Sequence, residues 1–304
     1  MDYLDYVNDD QRFPPTRQVL ADRSDPLQRF DEISFRDHFR MHKVNAVEII
    51  SLLEPRLSSV TQRGQPIPVC LQELITLRFL ACGTFHRETG DLCGVSETTV
   101  CKVIHRVCRA ICELKAHYIN FPDARTQMEP IFPLSIPLLQ MLRNTGTRKN
   151  WFSINVQGVC TPQLEFSNIV ARWKGATHDS RIFLNSSLYT QFERRDHNGI
   201  LLGDSGYAQK DFLFTPYLHP TTALQPGSYA HKGLSRCLRK TLRFKPSRCC
   251  TVIIATAVLH NYLKKQGCPD PPIEEDDNPD VPPFITNHSE GLAYRDAFAL
   301  CHFK

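Results

Sequence analysis

Not one C-x-x-C pair occurs among the 12 cysteines, which removes the usual ligand spacing of zinc ribbons and fingers. The cysteines lie scattered through apolar periodic segments, for example Cys82, Cys101, Cys108, Cys112 and Cys160. That is the placement of buried free thiols in a reducing compartment, not of a disulfide framework. Long hydrophobic runs are also missing. The longest, Cys249 to Leu259, falls far short of the roughly 20 residues of a membrane-spanning helix. The opening MDYLDYVNDD is acidic, so no secretory signal is expected. Acids are absent from two stretches, Phe132 to Trp151 and His231 to Ile254.

What is present fits a soluble globular protein. The 304 residues are 41% hydrophobic and 22% charged, enough for one domain of ordinary size and a smaller one. Net charge is only +4, but it is unevenly spread. Seven basic residues and no acid lie between Lys232 and Arg248 (Lys232, Arg236, Arg239, Lys240, Arg243, Lys245, Arg248), while Glu274 to Asp280 is acidic. The basic block suits a polyanion partner or a nuclear-import signal, and is equally consistent with a solvated face.

Residues 1 to about 45 read as a loosely held polar arm, within an N-terminal region 1–65 that ends in a short helix over Val44 to Leu57. Residues 66–120 read as an all-α, helix-turn-helix-like region. Leu71 to Ala81 is apolar nearly all round, Phe85 to Cys93 follows as a second helix, and Gly94 supplies a turn. Ser96 is the expected N-cap of the next helix, with Glu97 at its positive end. In that helix Val100, Val103, Ile104, Val107, Ile111 and Leu114 recur at helical spacing, and Lys102, His105, Arg106 and Arg109 fall mainly on the other side. This is helix-turn-helix geometry with Lys102, Arg106 and Arg109 as candidate DNA contacts. An ordinary helical hairpin with solubilising charges gives the same pattern.

Beyond Pro122 the character changes. WFSINVQGVC, from Trp151 to Cys160, alternates as a strand does. Leu164 to Ala171 is a second strand, Ser180 to Glu193 a helix, and Ile200 to Leu202 a third strand running into Gly203-Asp204. Cys250 to Lys265 is a long apolar helix, and residues 269–304 form an acidic, proline-rich tail. Asp179 and Asp204 both follow apolar segments, where carboxylates projecting from a sheet edge can meet around a cation. A helix cap at Asp179 and a turn residue at Asp204 explain the same residues structurally.

The segments FSINVQGVC, FSNIVARWKGATHDSRIF, LLGDSGY and RFKPSRCCTVIIATAVLHN resemble, in order, the core of the PIF/Harbinger transposases and their domesticated relatives, the harbinger transposase-derived nucleases. The helical stretch LITLRFLACGTFHRETGDLCGVSETTVCKVIHRV resembles that family's N-terminal region. The resemblance spans about 70 to 265. It implies an α/β fold with an RNase H-like DDE catalytic core, a mixed sheet flanked by helices, over 130–268. It implies cleavage or transfer of DNA phosphodiesters with Mg²⁺ or Mn²⁺. It also implies a Myb-like partner protein that assists nuclear import, and residence in nucleus and cytoplasm. By matched motif the retained carboxylates are Asp179 and Asp204, with His178 in the same motif. Lys232, Arg236, Arg239 and Lys240 join Lys102, Arg106 and Arg109 as DNA-contact candidates.

Two departures stand against full activity. The family carries an aspartate on its first core strand after a Phe-Pro pair, and a glutamate on a helix between an Ala-His pair and an R-F-x-C-L segment. Here Phe132-Pro133 and Ala230-His231 lead into the two acid-free stretches, so the first core strand is expected to be missing and the domain incomplete; the apolar run Ile131 to Leu142 could substitute for that strand, although Pro133 and Pro137 make this awkward. An acid from elsewhere, for instance Glu165 or Glu193, would have to complete the site, and neither is an obvious replacement: Glu165 lies in a strand and Glu193 ends the helix begun near Asp179. The expectation is therefore a metal-dependent nuclease scaffold with impaired catalysis. The alternative is a non-catalytic DNA-binding or adaptor protein that keeps the basic helix and basic segment.

Overall fold

The computed structural model describes residues 25–58, 67–121, 132–142, 151–161, 163–197, 199–203, 206–215, 242 and 244–268, with the backbone alone for 91–93, 132–142 and 151–153. In chain order the elements are α1 (Pro26–Arg29), α2 (Glu32–Phe39), α3 (Lys43–Leu57), α4 (Val69–Cys82), α5 (His86–Cys93), α6 (Glu97–Glu113), α7 (Lys115–Tyr118), β1 (Phe132–Leu142), β2 (Trp151–Cys160), β3 (Phe166–Lys174), α8 (Asp179–Leu184), α9 (Ser187–Glu193), β4 (Leu201–Leu202), β5 (Leu213–Phe214) and α10 (Pro246–Lys265).

The two helices and the glycine turn read between 85 and 114 form, as α5, Gly94 and α6. Gly94 ends α5 with left-handed backbone (φ 64°), a conformation that a side chain disfavours. Ser96 then caps α6, its Oγ accepting from the amide of Thr99 at 3.2 Å. The apolar stripe of α6 is buried as its period requires: Val100, Ile104, Val107 and Ile111 are each 1% exposed or less. Each such side chain is worth about 2 kcal/mol of burial. α4 is buried around most of its circumference, which is why it shows no amphipathic period.

The arm was expected to be loose as far as residue 45, and from Pro26 onward it is not. Asp25 and Asp31 cap α1 and α2 with their side chains, and Phe35 and Phe39 enter the main core. Asx caps followed by two phenylalanines one helical turn apart carried that signal. Residues 1–24 and the tail 269–304 lie outside the described residues.

The sheet corrects a second expectation. The position beside β2 is not empty: β1 pairs antiparallel with β2, and β2 antiparallel with β3. The register of β1 runs from Phe132 opposite Cys160 to Leu142 opposite Trp151, and it slips between Ile136 and Leu139. That irregularity contains Pro137, a residue without an amide proton that strands tolerate at bulges and edges. A buried strand cannot leave its ladder unpaired, and the apolar run after Phe132 satisfies it despite its prolines. β4 and β5 form a separate parallel pair, and β1 lies beside β4.

Alternation along β2 directs its two faces into two cores. Ile154, Val156 and Cys160 join the large core built from α2, α3, α4, α6 and α10. Val159 joins a smaller one with Phe183, Leu188, Phe192, Leu201, Tyr207 and Leu213. α10 ties helices to sheet. On it, Asn261 accepts from the amide of Phe166 at 2.8 Å and donates to the Phe166 carbonyl at 2.7 Å and to the Tyr118 carbonyl at 2.8 Å. One side chain thus stands in for a neighbouring strand at the start of β3. The helix predicted over 180–193 is instead two, because Ser186 interrupts it and caps α9 through the amide of Tyr189.

Candidate active site

Asp179 is the first residue of α8, and the small core holds that helix against the sheet. Its position is set by a residue that sequence reading passed over. Asn155, on the small-core side of β2 and 7% exposed, donates from Nδ2 to Asp179 Oδ1 at 2.7 Å and to the carbonyl of Thr177 at 2.9 Å. One amide therefore fixes both the turn before α8 and the carboxylate that opens it. His178 occupies the N-cap with no side-chain capping bond and is exposed. Asn155 is the residue that positions Asp179.

The next residues extend this latch. Ser180 donates from Oγ to the carbonyl of Gly206 at 2.6 Å. Gln157, two residues along β2 and 3% exposed, donates to Tyr207 Oη at 3.0 Å. On the other side of the GDSGY motif, the amide of Gly203 donates to the Phe214 carbonyl at 2.7 Å, continuing the β4–β5 pairing. A Cβ on Gly203 would lie 3.0 Å from the Tyr207 ring and 3.2 Å from Leu213, so the motif's first glycine is needed for that close approach. Asp204 itself lies outside the described residues. Of its flanks, Gly206 and Tyr207 are tied to α8 and β2, and Gly203 is tied to β5.

The signal for Asn155 and Gln157 was present but unread. In SINVQG two amides alternate with two aliphatics. Buried polar side chains in a strand cost stability unless they have partners, so a pair at period two marks a built polar contact.

The donor set is small. Among the described residues no three of His, Cys, Asp and Glu come together as a group that could hold a metal ion. Asp179 is the one described carboxylate at this place, and one of its oxygens already faces an N–H donor. β1, where the missing first-strand acid would sit, is acid-free, and its irregular segment Pro137-Leu138 lies in register opposite Asn155. Glu193 is engaged with Tyr189 Oη at 3.1 Å at the end of α9, and Glu165 opens the loop side of β3. Magnesium and manganese want several hard oxygen ligands, and a two-ion centre does not fit these residues.

The candidate DNA contacts divide. Lys102 and Arg109 are exposed on α6. Arg106 is exposed too, but its guanidinium is drawn back toward α3, donating from Nη2 to the carbonyl of Leu57 at 2.8 Å. α6 also packs against α3, α4, α5 and α10, which leaves only a stripe of it open to solvent. Lys232, Arg236, Arg239 and Lys240 lie outside the described residues.

Known proteins supply the decisive comparison. Residues 145–232, which contain β2, β3, Asp179 and the GDSGY motif, match the model of the DDE superfamily endonuclease family. This chain carries a DDE superfamily endonuclease domain. It is homologous to the mouse protein named "Putative nuclease HARBI1", with 26% identity over 258 residues, 72% of this chain and 74% of that protein. The human protein of the same name is 26% identical over 261 residues, with the same shares covered. The Arabidopsis thaliana "Protein ALP1-like" is 24% identical over 247 residues, 69% of this chain and 59% of its own length. No solved structure matches the chain. The resemblance read from the motifs is borne out, and the endonuclease domain includes the latch around Asp179. No described helix is long and apolar enough to cross a membrane.

Proposed function

We propose that this chain is a transposase-derived nuclease with an RNase H-like DDE core, acting on DNA phosphodiesters with a divalent cation, and that its catalysis is impaired. Asp179 and Asp204 are its retained carboxylates. The observation that carries this reading is the latch. Asn155 holds Asp179 while Ser180 holds Gly206, so the two aspartate-bearing motifs are bound to each other through neighbouring residues. The strand arrangement supports it too, with three antiparallel strands beside a parallel β4–β5 pair and β1 next to β4.

Impairment follows from the missing first-strand aspartate and helix glutamate. Metal-assisted phosphodiester chemistry stabilises charge on the attacking and leaving oxygens. Losing one preorganised electrostatic group costs on the order of 3 kcal/mol of that stabilisation. Nuclear import with a Myb-like partner, and residence in nucleus and cytoplasm, complete the proposal and rest on the resemblance and on the basic segment from Lys232. The test is nicking of supercoiled plasmid in Mn²⁺ by the chain and by Asp179→Asn and Asp204→Asn. Slow nicking that disappears in both variants is expected. No nicking by a folded chain would leave a DNA-binding protein on a nuclease scaffold.

A further inference from the structure

We propose that Lys102 and Arg109 of α6, with Lys245 and Arg248 at the start of α10, form one cationic ridge that docks the phosphate backbone of a DNA duplex, and that Arg106 is not part of it. The proposal rests on the DNA substrate proposed above and specifies where that substrate is held. α6 and α10 meet along this edge. The guanidinium of Arg248 reaches Cys101 Sγ at 3.2 Å, one residue before Lys102. His105 lies between Lys102 and Arg109 on α6, and burial first, then the charges of Arg248 and Arg109, hold its pKa below the usual imidazole value. Lys245 and Arg248 are joined through the first turn of α10, and Lys102, Arg109 and Lys245 are exposed; Arg106 is exposed as well, and what sets it apart is the hydrogen bond that turns its guanidinium to the Leu57 carbonyl.

None of the four cations has an acidic partner among the described residues. The acid that follows on the same face, Glu113, is taken by Arg56 at 2.9 Å. Like charges gathered at a packed junction repel one another unless an opposite charge arrives from outside. The ridge has the dimensions of such a counter-charge. Lys102 and Arg109 are two helical turns apart, about 10 Å at 1.5 Å per residue. A DNA strand carries a phosphate every ~3.4 Å along the axis, so about three phosphates fit that length. α6 is flanked by α3 on one side and α10 on the other, so a groove-inserted recognition helix does not suit it. Backbone contact without base reading does.

The experiment is duplex binding by the full chain over a series of salt concentrations. The double variant Lys102→Gln/Arg248→Gln should lower affinity about tenfold or more and reduce the slope of log affinity against log salt by about 2, equally for unrelated duplex sequences. Arg106→Gln should leave affinity and slope unchanged and lower the unfolding temperature, because it frees the Leu57 carbonyl. Thermal unfolding of the double variant shows that it is folded. An unchanged slope in the double variant, or an equal loss in Arg106→Gln, overturns the ridge while the DNA reading stands. Absence of duplex binding by the wild-type chain at low salt overturns both.

Discussion

Glu73 gives the sharpest test of the helical core. It sits in α4 with 0% exposure, and neither carboxylate oxygen has a hydrogen-bond partner. Its neighbours cannot help: Thr76 donates to the carbonyl of Gln72, and Gln72 donates to that of Ile67. Burial, reinforced by the charge of Glu54, pushes its pKa from the ordinary 4.5 up to about 8. The folded protein therefore holds a proton that the unfolded chain releases. Stability from this group is complete below pH 4.5, falls as pH rises from there, and is gone once pH passes about 8. At 1.36 kcal/mol per pKa unit the fall amounts to about 5 kcal/mol, less whatever local relaxation and water entry recover. Glu73→Met removes both the titration and the buried polar group. Urea unfolding of both proteins at pH 5, 6, 7 and 8 should give curves that diverge with pH, the variant being more stable by about 3 kcal/mol or more at pH 8. His38 and His105, whose burial lowers their pKa values, lose stability in the opposite direction, as pH falls. They are common to both proteins, so the difference isolates Glu73. Parallel curves would refute the reasoning.

Other consequences are as direct. Asn155→Asp places a second carboxylate beside Asp179, where the amide now lies 2.7 Å away. Repulsion should lower the unfolding temperature in EDTA, and Mn²⁺ should restore it by more than it raises the wild type; equal metal shifts in the two proteins would count against this geometry. Ser96→Ala removes the α6 cap and should cost about 1 kcal/mol in denaturant unfolding, and a neutral result would mean the cap is redundant. Asn261→Leu strips Phe166 and Tyr118 of their partners and should cost about 3 kcal/mol, unless β3 begins elsewhere.

The sequence showed the helices whose periods are clean. α6 was legible from Val100 to Ile111 because one face is buried and the other open, with Ser96 and Gly94 marking its start. β2 and β3 were legible from alternation. β1 was legible only as an awkward substitute over Ile131 to Leu142, since Pro133 and Pro137 argue against a strand until the demand of the β2 ladder is counted. The break at Ser186 was hidden because Ser180 to Glu193 keeps helical spacing across it. At the site, the motifs named Asp179, but only coordinates could reveal that Asn155 holds it or that Arg106 is occupied at Leu57. Such pairings join residues 24 and 49 positions apart, a range over which neither periodicity nor local propensity carries information.

The place of α10 in the chain has a consequence for how the protein is made. This helix is the last described element to leave the ribosome, yet its side chains complete both the helical core and the beginning of β3. A nascent chain that has not reached Lys265 lacks the helix that covers the α10-facing apolar surfaces of α6 and β3. Helices and sheet must therefore finish folding together, after translation of this segment, and the unfinished chain is a natural client for chaperones.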